Sequence, residues 1–366
     1  MGQRPAGERL TVAVECSRLP HDVRGIGRYV RALLPRLLER RQDLRLVAFA
    51  RRPDEVEALR GALTELGVAG ERAMPRQFSE LTASDADLWW YPWNVARPIK
   101  RGARVVATIH DAAPLAFPDP RWSKWWQNRR WQRLYSATVR RAALVITDAH
   151  FTVTELERLL DLPPERACVV QLAADDMHVP PPSHDEPALA RLGVRRPYVL
   201  AVAARDRRKN LELLDRAMPL VADLLPSARL VLVGPREAHD ATTFPAWRQS
   251  LGFVSEEDLV SLYRSARALV VPSLYEGFGL PVLEAMQVGT PVICTRAASL
   301  PEVGGSAARY VSPTDERQLA LAIADLLTDD EQYGTLQRAG LEQAARFSWD
   351  ETTRRTLAAF DEALRR

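Results

Sequence analysis

What most constrains this chain is an alternation that runs its length and starts twice. Short runs rich in β-branched residues alternate with longer stretches of helical periodicity. Parallel strands cannot be joined by tight turns and need a crossover, usually a helix, so this rhythm predicts parallel α/β units. In the first half, strands are expected at Leu10–Val14, Leu44–Phe49, Leu88–Tyr91, Val105–Ile109 and Leu144–Thr147, with Cys168–Leu172 closing it. Between the first two, Tyr29, Leu33, Leu34, Leu37 and Leu38 form one apolar stripe of a helix. The segment Pro180-Pro181-Pro182-Ser183-His184-Asp185-Glu186-Pro187 then places four prolines in eight residues and is expected to lie outside regular structure as a hinge, residues 180–190. Beyond it the rhythm resumes, with strands expected at Tyr198–Val202, Ala228–Val233, Ala268–Pro272 and Pro291–Thr295.

A length of 366 residues suits two domains better than one core. The expected boundaries are 1–179, the hinge, and 191–346, followed by a terminal segment 347–366. Two such halves imply a cleft, with ligands at the carboxyl ends of the strands. Basic and acidic residues nearly balance, 50 against 47, which argues against a dedicated nucleic-acid binder. Cys16, Cys168 and Cys294 are too few and too scattered for a disulfide framework or a metal cluster. No signal-peptide pattern opens the chain and no apolar run is long enough to cross a bilayer, so a cytoplasmic location is expected, at most touching the cytosolic membrane face.

Most information lies between Ser273 and Met286. The apolar strand residues Ala268-Leu269-Val270-Val271 run into Glu276-Gly277-Phe278-Gly279-Leu280-Pro281. The glycines permit positive φ and close backbone approach, and Pro281 suits the first position of a helix. Strand, glycine turn and helix start together make an anion site suited to a diphosphate. Glu276 and Glu284 flank it, and carboxylates accept hydrogen bonds from sugar hydroxyls. Each alone could be structural, one capping a turn and one complementing the helix dipole. After the first strand of the second half comes Arg205-Asp206-Arg207-Arg208-Lys209-Asn210, whose cations could hold phosphate oxygens or form a solvated turn.

This part of the chain resembles the large retaining glycosyltransferase family with the Glu-x7-Glu motif, family 4 or the mannosyltransferase-like group 1. The resemblance rests on Glu276-Gly277-Phe278-Gly279-Leu280-Pro281, Glu284-Ala285-Met286 and Gly289-Thr290-Pro291-Val292. It implies two Rossmann-like domains facing a cleft, the GT-B fold, with a C-terminal helix from Phe347-Ser348-Trp349 returning to the first domain. It also implies that Glu276 contacts the transferred sugar and Glu284 the ribose, with the amides of Gly279 and Leu280 facing the distal phosphate and Gly277 and Phe278 in the same donor site. Arg208 and Lys209 match the family's cationic run, whereas Ala203-Ala204 replaces a common Gly-Arg pair, so that either Arg205 substitutes or Arg208 and Lys209 suffice. Phe253 and Val254 fall where relatives contact the nucleotide, after a stretch, Gly234–Phe253, that is shorter than usual.

In the first half, His110-Asp111 ends a strand. A lone histidine there reads as structural; the resemblance makes His110 the residue beside the reacting sugar and Asp111 a support for the loop. Arg24-Gly25-Ile26-Gly27-Arg28-Tyr29 lacks the third glycine of a dinucleotide fingerprint, Val30 standing in its place. By the resemblance, Gly25 and Gly27 instead let donor phosphate and acceptor approach. Asp85-Ala86-Asp87 precedes a strand instead of following one, so it reads as a turn, and no metal is expected. No cofactor is expected either, the nucleotide sugar being a substrate.

Residues 121–141 hold seven basic side chains, no acidic ones, and Trp122, Trp125, Trp126 and Trp131. Three readings are open: a helix with its tryptophans in the core, an acceptor-binding face, and peripheral membrane contact. The function expected overall is hexosyl transfer (EC 2.4.1.-) from a nucleotide-diphosphate sugar, with GDP-mannose favoured over UDP- or dTDP-sugars, to an unidentified acceptor hydroxyl. The alternatives are an epimerase or hydrolase of the same fold and a non-catalytic sugar-nucleotide sensor; product analysis and binding without turnover distinguish them.

Overall fold

A computed structural model describes residues 9–22, 25–203, 206–235 and 245–366. Arg24, Ala204, Arg205 and residues 236–244 of the shortened stretch lie outside the described residues. Chain contacts divide the molecule into two compact units. One runs to Leu172 and includes Trp349–Arg366; the other is Ala173–Ser348.

The first unit is a seven-stranded, all-parallel sheet. Its strands are β1 (Leu10–Glu15), β2 (Leu44–Ala50), β3 (Ala73–Gln77), β4 (Leu88–Tyr91), β5 (Val105–Thr108), β6 (Ala142–Thr147) and β7 (Ala167–Val169). Their order is β3-β2-β1-β4-β5-β6-β7. The helix Ile26–Arg40 buries Tyr29, Leu33, Leu34, Leu37 and Leu38, the stripe expected from the sequence. The helix Trp349–Arg365 packs on it, Trp349 meeting Tyr29 at 6.3 Å between ring centroids and Asp361 accepting a 2.7 Å hydrogen bond from Arg41.

The second unit is a six-stranded parallel sheet of β8 (Tyr198–Val202), β9 (Arg229–Val233), β10 (Arg248–Gly252), β11 (Ala268–Val271), β12 (Val292–Thr295) and β13 (Ala308–Val311). Its order is β10-β9-β8-β11-β12-β13. Both sheets reverse their strand order beside the first strand, between β1 and β4 and between β8 and β11. Loops leaving such a pair at their carboxyl ends diverge and leave room for a ligand.

Three strands went unpredicted: β3, β10 and β13. All are sheet edges. An edge strand is not buried on both faces, so Pro75, Gln249 and Arg309 break the apolar run that marks the central strands; proline is tolerated where its missing N–H faces solvent. The expectation that Pro180–Pro187 lies outside regular structure is corrected. Pro182–His184 forms a 3-10 turn and Asp185–Leu192 an α-helix. Pro187 sits in that helix's first turn, where the N–H has no i−4 carbonyl to lose. The segment packs within the second unit, Arg264 donating to the Pro180 carbonyl at 2.6 Å and His184 Nδ1 lying 3.0 Å from Ser261 Oγ. No described helix is long and apolar enough to cross a membrane.

Candidate active site

The site builds from the two loops that leave β8 and β11 at the second reversal point. After β8, Arg207–Lys209 forms a 3-10 turn capped by Asp206, which accepts from the Arg208 amide at 2.9 Å. Asn210 closes the turn at φ 50° and donates to the carbonyls of Pro272 and Pro313 at 3.0 and 2.9 Å. The Leu274 amide reaches back to the Arg208 carbonyl at 2.7 Å. The cationic turn and the glycine loop are thus one bonded structure.

After β11, the chain turns through Glu276–Gly279 into the helix Leu280–Gln287. Gly279 has φ 108°, and a Cβ there would stand 3.0 Å from Leu300 Cδ2, so glycine is needed for both conformation and space. The helix begins one residue earlier than expected, which makes Pro281 its second residue; that position too lacks an intrahelical acceptor for an N–H. Ser299 Oγ lies 2.9 and 2.7 Å from the carbonyls of Glu276 and Phe278, pinning the turn. The first-turn amides of such a helix are the donors of an anion site.

Glu276 is nearly buried, at 8% exposure, yet both carboxylate oxygens are engaged. Lys209 Nζ donates to them at 2.7 and 2.8 Å, and Ser273 Oγ donates to one at 2.7 Å. Lys209 and Glu276 are 67 residues apart in sequence and meet because β8 and β11 are neighbours. The Arg208 guanidinium turns to Asp206, at 3.0 and 3.1 Å. Glu284 is half-buried and accepts from the Tyr263 hydroxyl at 3.0 Å. Phe278 is 4% exposed and packs on Phe347, so its ring belongs to the core. Phe253, 65% exposed, and Val254 follow β10 at the carboxyl ends of the same parallel sheet.

At the first reversal point, β1 leads toward Gly25 and the helix that starts at Ile26. A Cβ on Gly27 would fall 1.8 Å from the Asp22 carbonyl oxygen, so only hydrogen fits. His110 follows β5 and is 7% exposed. Its Nε2 lies 2.9 Å from the Pro92 carbonyl and its Nδ1 2.7 Å from Asp148. A carbonyl only accepts, so Nε2 carries a hydrogen; the short Nδ1 contact then requires a second proton between ring and carboxyl. The Asp85 carboxylate caps a 3-10 turn by accepting from Thr82, and Asp87 accepts from the Thr11 amide at 2.8 Å. Among the described residues, no group of three or more His, Cys, Asp or Glu side chains is arranged to hold a metal ion.

Comparison with known proteins bears on this geometry. The description "Glycosyltransferase Family 4" matches residues 23–176, and "Glycosyl transferases group 1" matches residues 190–343. The O-antigen chain mannosyltransferase B of Escherichia coli is 33% identical over 268 residues, 70% of each chain. The chain belongs to glycosyltransferase family 4. As a member it is a glycosyltransferase that takes its glycosyl group from a nucleotide sugar. A second relative, the MMP alpha-(1->4)-mannosyltransferase of Mycolicibacterium hassiacum, is 29% identical over 73% of this chain and 67% of its own. Among solved structures, Anabaena HepE in complex with UDP and glucose superposes with a TM-score of 0.72 at 16% identity, covering 97% of this chain and 100% of that one. Sucrose-phosphate synthase from Thermosynechococcus elongatus gives 0.71 at 19%, over 97% and 99%. These likenesses establish the GT-B fold.

Three partners in this glycosyltransferase escaped sequence reasoning: Asp148 beside His110, Tyr263 beside Glu284, and Ser273 beside Glu276. Only Ser273 had a local signal, three residues before Glu276 at the start of the same turn. The His110–Asp148 pair has a pH consequence. Burial alone lowers the imidazole pKa, but the charge and hydrogen bond of Asp148, helped by the Pro92 carbonyl and Asp111, outweigh it and raise the value. Burial also pushes the Asp148 carboxyl up. The pair therefore keeps its bridging proton to higher pH than a free histidine would. Its stabilising contribution is complete below the ordinary histidine value of about 6.5 and is lost as pH rises through the raised folded value. The melting-temperature advantage of wild type over Asp148→Asn should shrink as pH rises above the ordinary histidine value of about 6.5; a gap that widens with rising pH refutes the shared proton.

Proposed function

We propose that this enzyme transfers mannose from GDP-mannose to an acceptor hydroxyl with retention of anomeric configuration and without a metal ion. The observation carrying this reading is the Lys209–Glu276 pair beside the Gly279 turn, with the N-terminus of helix Leu280–Gln287 at the same place. Lys209 and the helix dipole offer positive charge to a diphosphate; Arg208 and Arg205 add to it, with Lys209 carrying the larger share because Arg208 already pairs with Asp206. Glu276 holds hydroxyls of the transferred sugar, and Glu284, oriented by Tyr263, holds the ribose. The backbone of Gly277, Phe278, Gly279 and Leu280 takes the distal phosphate, while Phe253 and Val254 lie toward the nucleoside. Residues 173–348 are on this reading the donor-binding domain.

In the reaction the bond from the anomeric carbon to the diphosphate oxygen breaks. The acceptor oxygen bonds to the same face of that carbon, and its proton passes to the departing phosphate. Fixed cations stabilise the charge that builds on the leaving group. His110, with both ring nitrogens engaged by protein groups, acts through its charge and position. Gly25 and Gly27 keep the first-unit loop free of bulk. The mannose preference draws on the O-antigen and MMP mannosyltransferases.

A thermal-shift series with GDP, UDP, dTDP and ADP tests the donor, since a ligand at a hundred times its Kd adds about 2.7 kcal/mol to stability. GDP is expected to give the largest shift; a larger shift with UDP or dTDP replaces the base assignment. Turnover is expected to persist in EDTA, and strict dependence on added manganese would end the metal-free reading.

A further inference from the structure

Four tryptophans open the segment 121–141, and the structure separates them. Trp131 is half-buried and packs on Tyr135 at 6.2 Å between centroids, on the side of helix Trp125–Arg141 that also buries Thr138 and Val139. The other three face outward: Trp122 is 86% exposed, Trp126 72% and Trp125 37%. Of the four, only Trp131 follows the expectation of tryptophans in the core. The three outer rings touch each other, Trp122 against Trp125 at 6.3 Å and Trp125 against Trp126 at 4.5 Å. They form one continuous aromatic surface of a kind that a soluble protein rarely leaves without a use.

Helical phase adds the charge. At 3.6 residues per turn, Trp125, Arg129 and Arg133 are spaced i, i+4, i+8, and Trp126 and Arg130 are spaced i, i+4. All five are exposed, so the basic side chains continue the outward face directly behind the aromatic cluster. The Arg129 guanidinium lies 4.8 Å from the Trp125 ring centroid. Lys124 adjoins the cluster, and no acidic residue occurs from 121 to 141; among the described residues only Arg121 of this segment pairs with a carboxylate, that of Asp119.

We propose that this face docks on an anionic membrane surface, with Trp122, Trp125 and Trp126 entering the headgroup region and Arg129, Arg130 and Arg133 meeting lipid phosphates. Tryptophan joins an apolar ring to a polar N–H and suits the boundary between hydrocarbon and water. Arginines beside it supply the attraction to anionic lipid. A neutral glycan could stack on the rings but has no use for the cations. An acidic soluble partner could use the cations but gives no reason for three contiguous indoles at such exposure. The inference does not rest on the choice of nucleotide or sugar.

The test is co-sedimentation of the full chain with vesicles, read together with indole emission. Vesicles of phosphatidylglycerol and phosphatidylcholine are expected to carry the protein down and shift its emission to the blue, whereas pure phosphatidylcholine does neither. Trp122→Ala with Trp126→Ala should weaken binding about tenfold or more, and Arg129→Glu with Arg130→Glu and Arg133→Glu should abolish it. Both variants should keep the wild-type melting temperature and nucleotide-induced shift, the substituted side chains being exposed. Failure to bind anionic vesicles overturns the proposal. So does binding that persists in the tryptophan variant, or equal binding to a soluble anionic polymer, since either leaves only a charged patch.

Discussion

Replacing Lys209 by alanine is expected to lower kcat by about a hundred- to a thousandfold, the loss seen when one preorganised donor to a developing oxyanion is removed. Two physical effects combine. On the proposed reading the ammonium no longer faces the diphosphate, where negative charge grows as the glycosyl bond breaks. The Glu276 carboxylate, nearly buried, also loses its only cationic partner among the described residues and keeps Ser273. A carboxylate left without its cation in that setting carries an uncompensated desolvation cost, so it is held less firmly in place for sugar hydroxyls. Steady-state kinetics at saturating donor, with a melting curve as control, check the expectation. A variant that folds like wild type and loses less than threefold in kcat would remove Lys209 from the chemistry.

Legibility from sequence followed burial. The central strands are buried on both faces and announce themselves as apolar runs: Leu88–Tyr91 and Tyr198–Val202 coincide with the expected limits, and most others differ by a residue or two. Edge strands β3, β10 and β13 carry polar residues because one flank meets solvent, and they left no such mark. The glycine turn was legible for a local reason, since Gly277, Gly279 and Pro281 each have a backbone meaning at fixed spacing. What sequence could not supply was adjacency across the sheet. Lys209 reaches Glu276 across 67 residues and His110 reaches Asp148 across 38. Both pairings depend on strand order, which composition and periodicity leave undetermined. The tryptophans are a different case: the sequence leaves three readings open for them, and helical phase alone puts Trp125 and Trp126 with the arginines and Trp131 with Tyr135.

Glu276→Gln is expected to lower turnover by about ten- to a hundredfold, equivalent to losing a charge-assisted hydrogen bond of about 1.5–3 kcal/mol. The amide keeps one acceptor oxygen for Ser273 or a sugar hydroxyl but gives up the negative charge and the second acceptor. Its NH2 group then faces the Lys209 ammonium, two donors in contact. Lys209 is therefore expected to move, so the loss should fall on kcat more than on donor affinity as judged by nucleotide-induced thermal shift, because on the proposed reading Glu276 holds the sugar and not the nucleoside. The double variant Lys209→Ala with Glu276→Gln supplies the sharper reading. If the two side chains act as one unit, it should be no slower than Lys209→Ala alone, since removing the carboxylate's charge also removes the penalty of leaving it unpaired. If the two losses multiply, the side chains contribute separately and the pair is only a resting contact. Wild-type turnover in Glu276→Gln at saturating donor would place the sugar elsewhere in the domain.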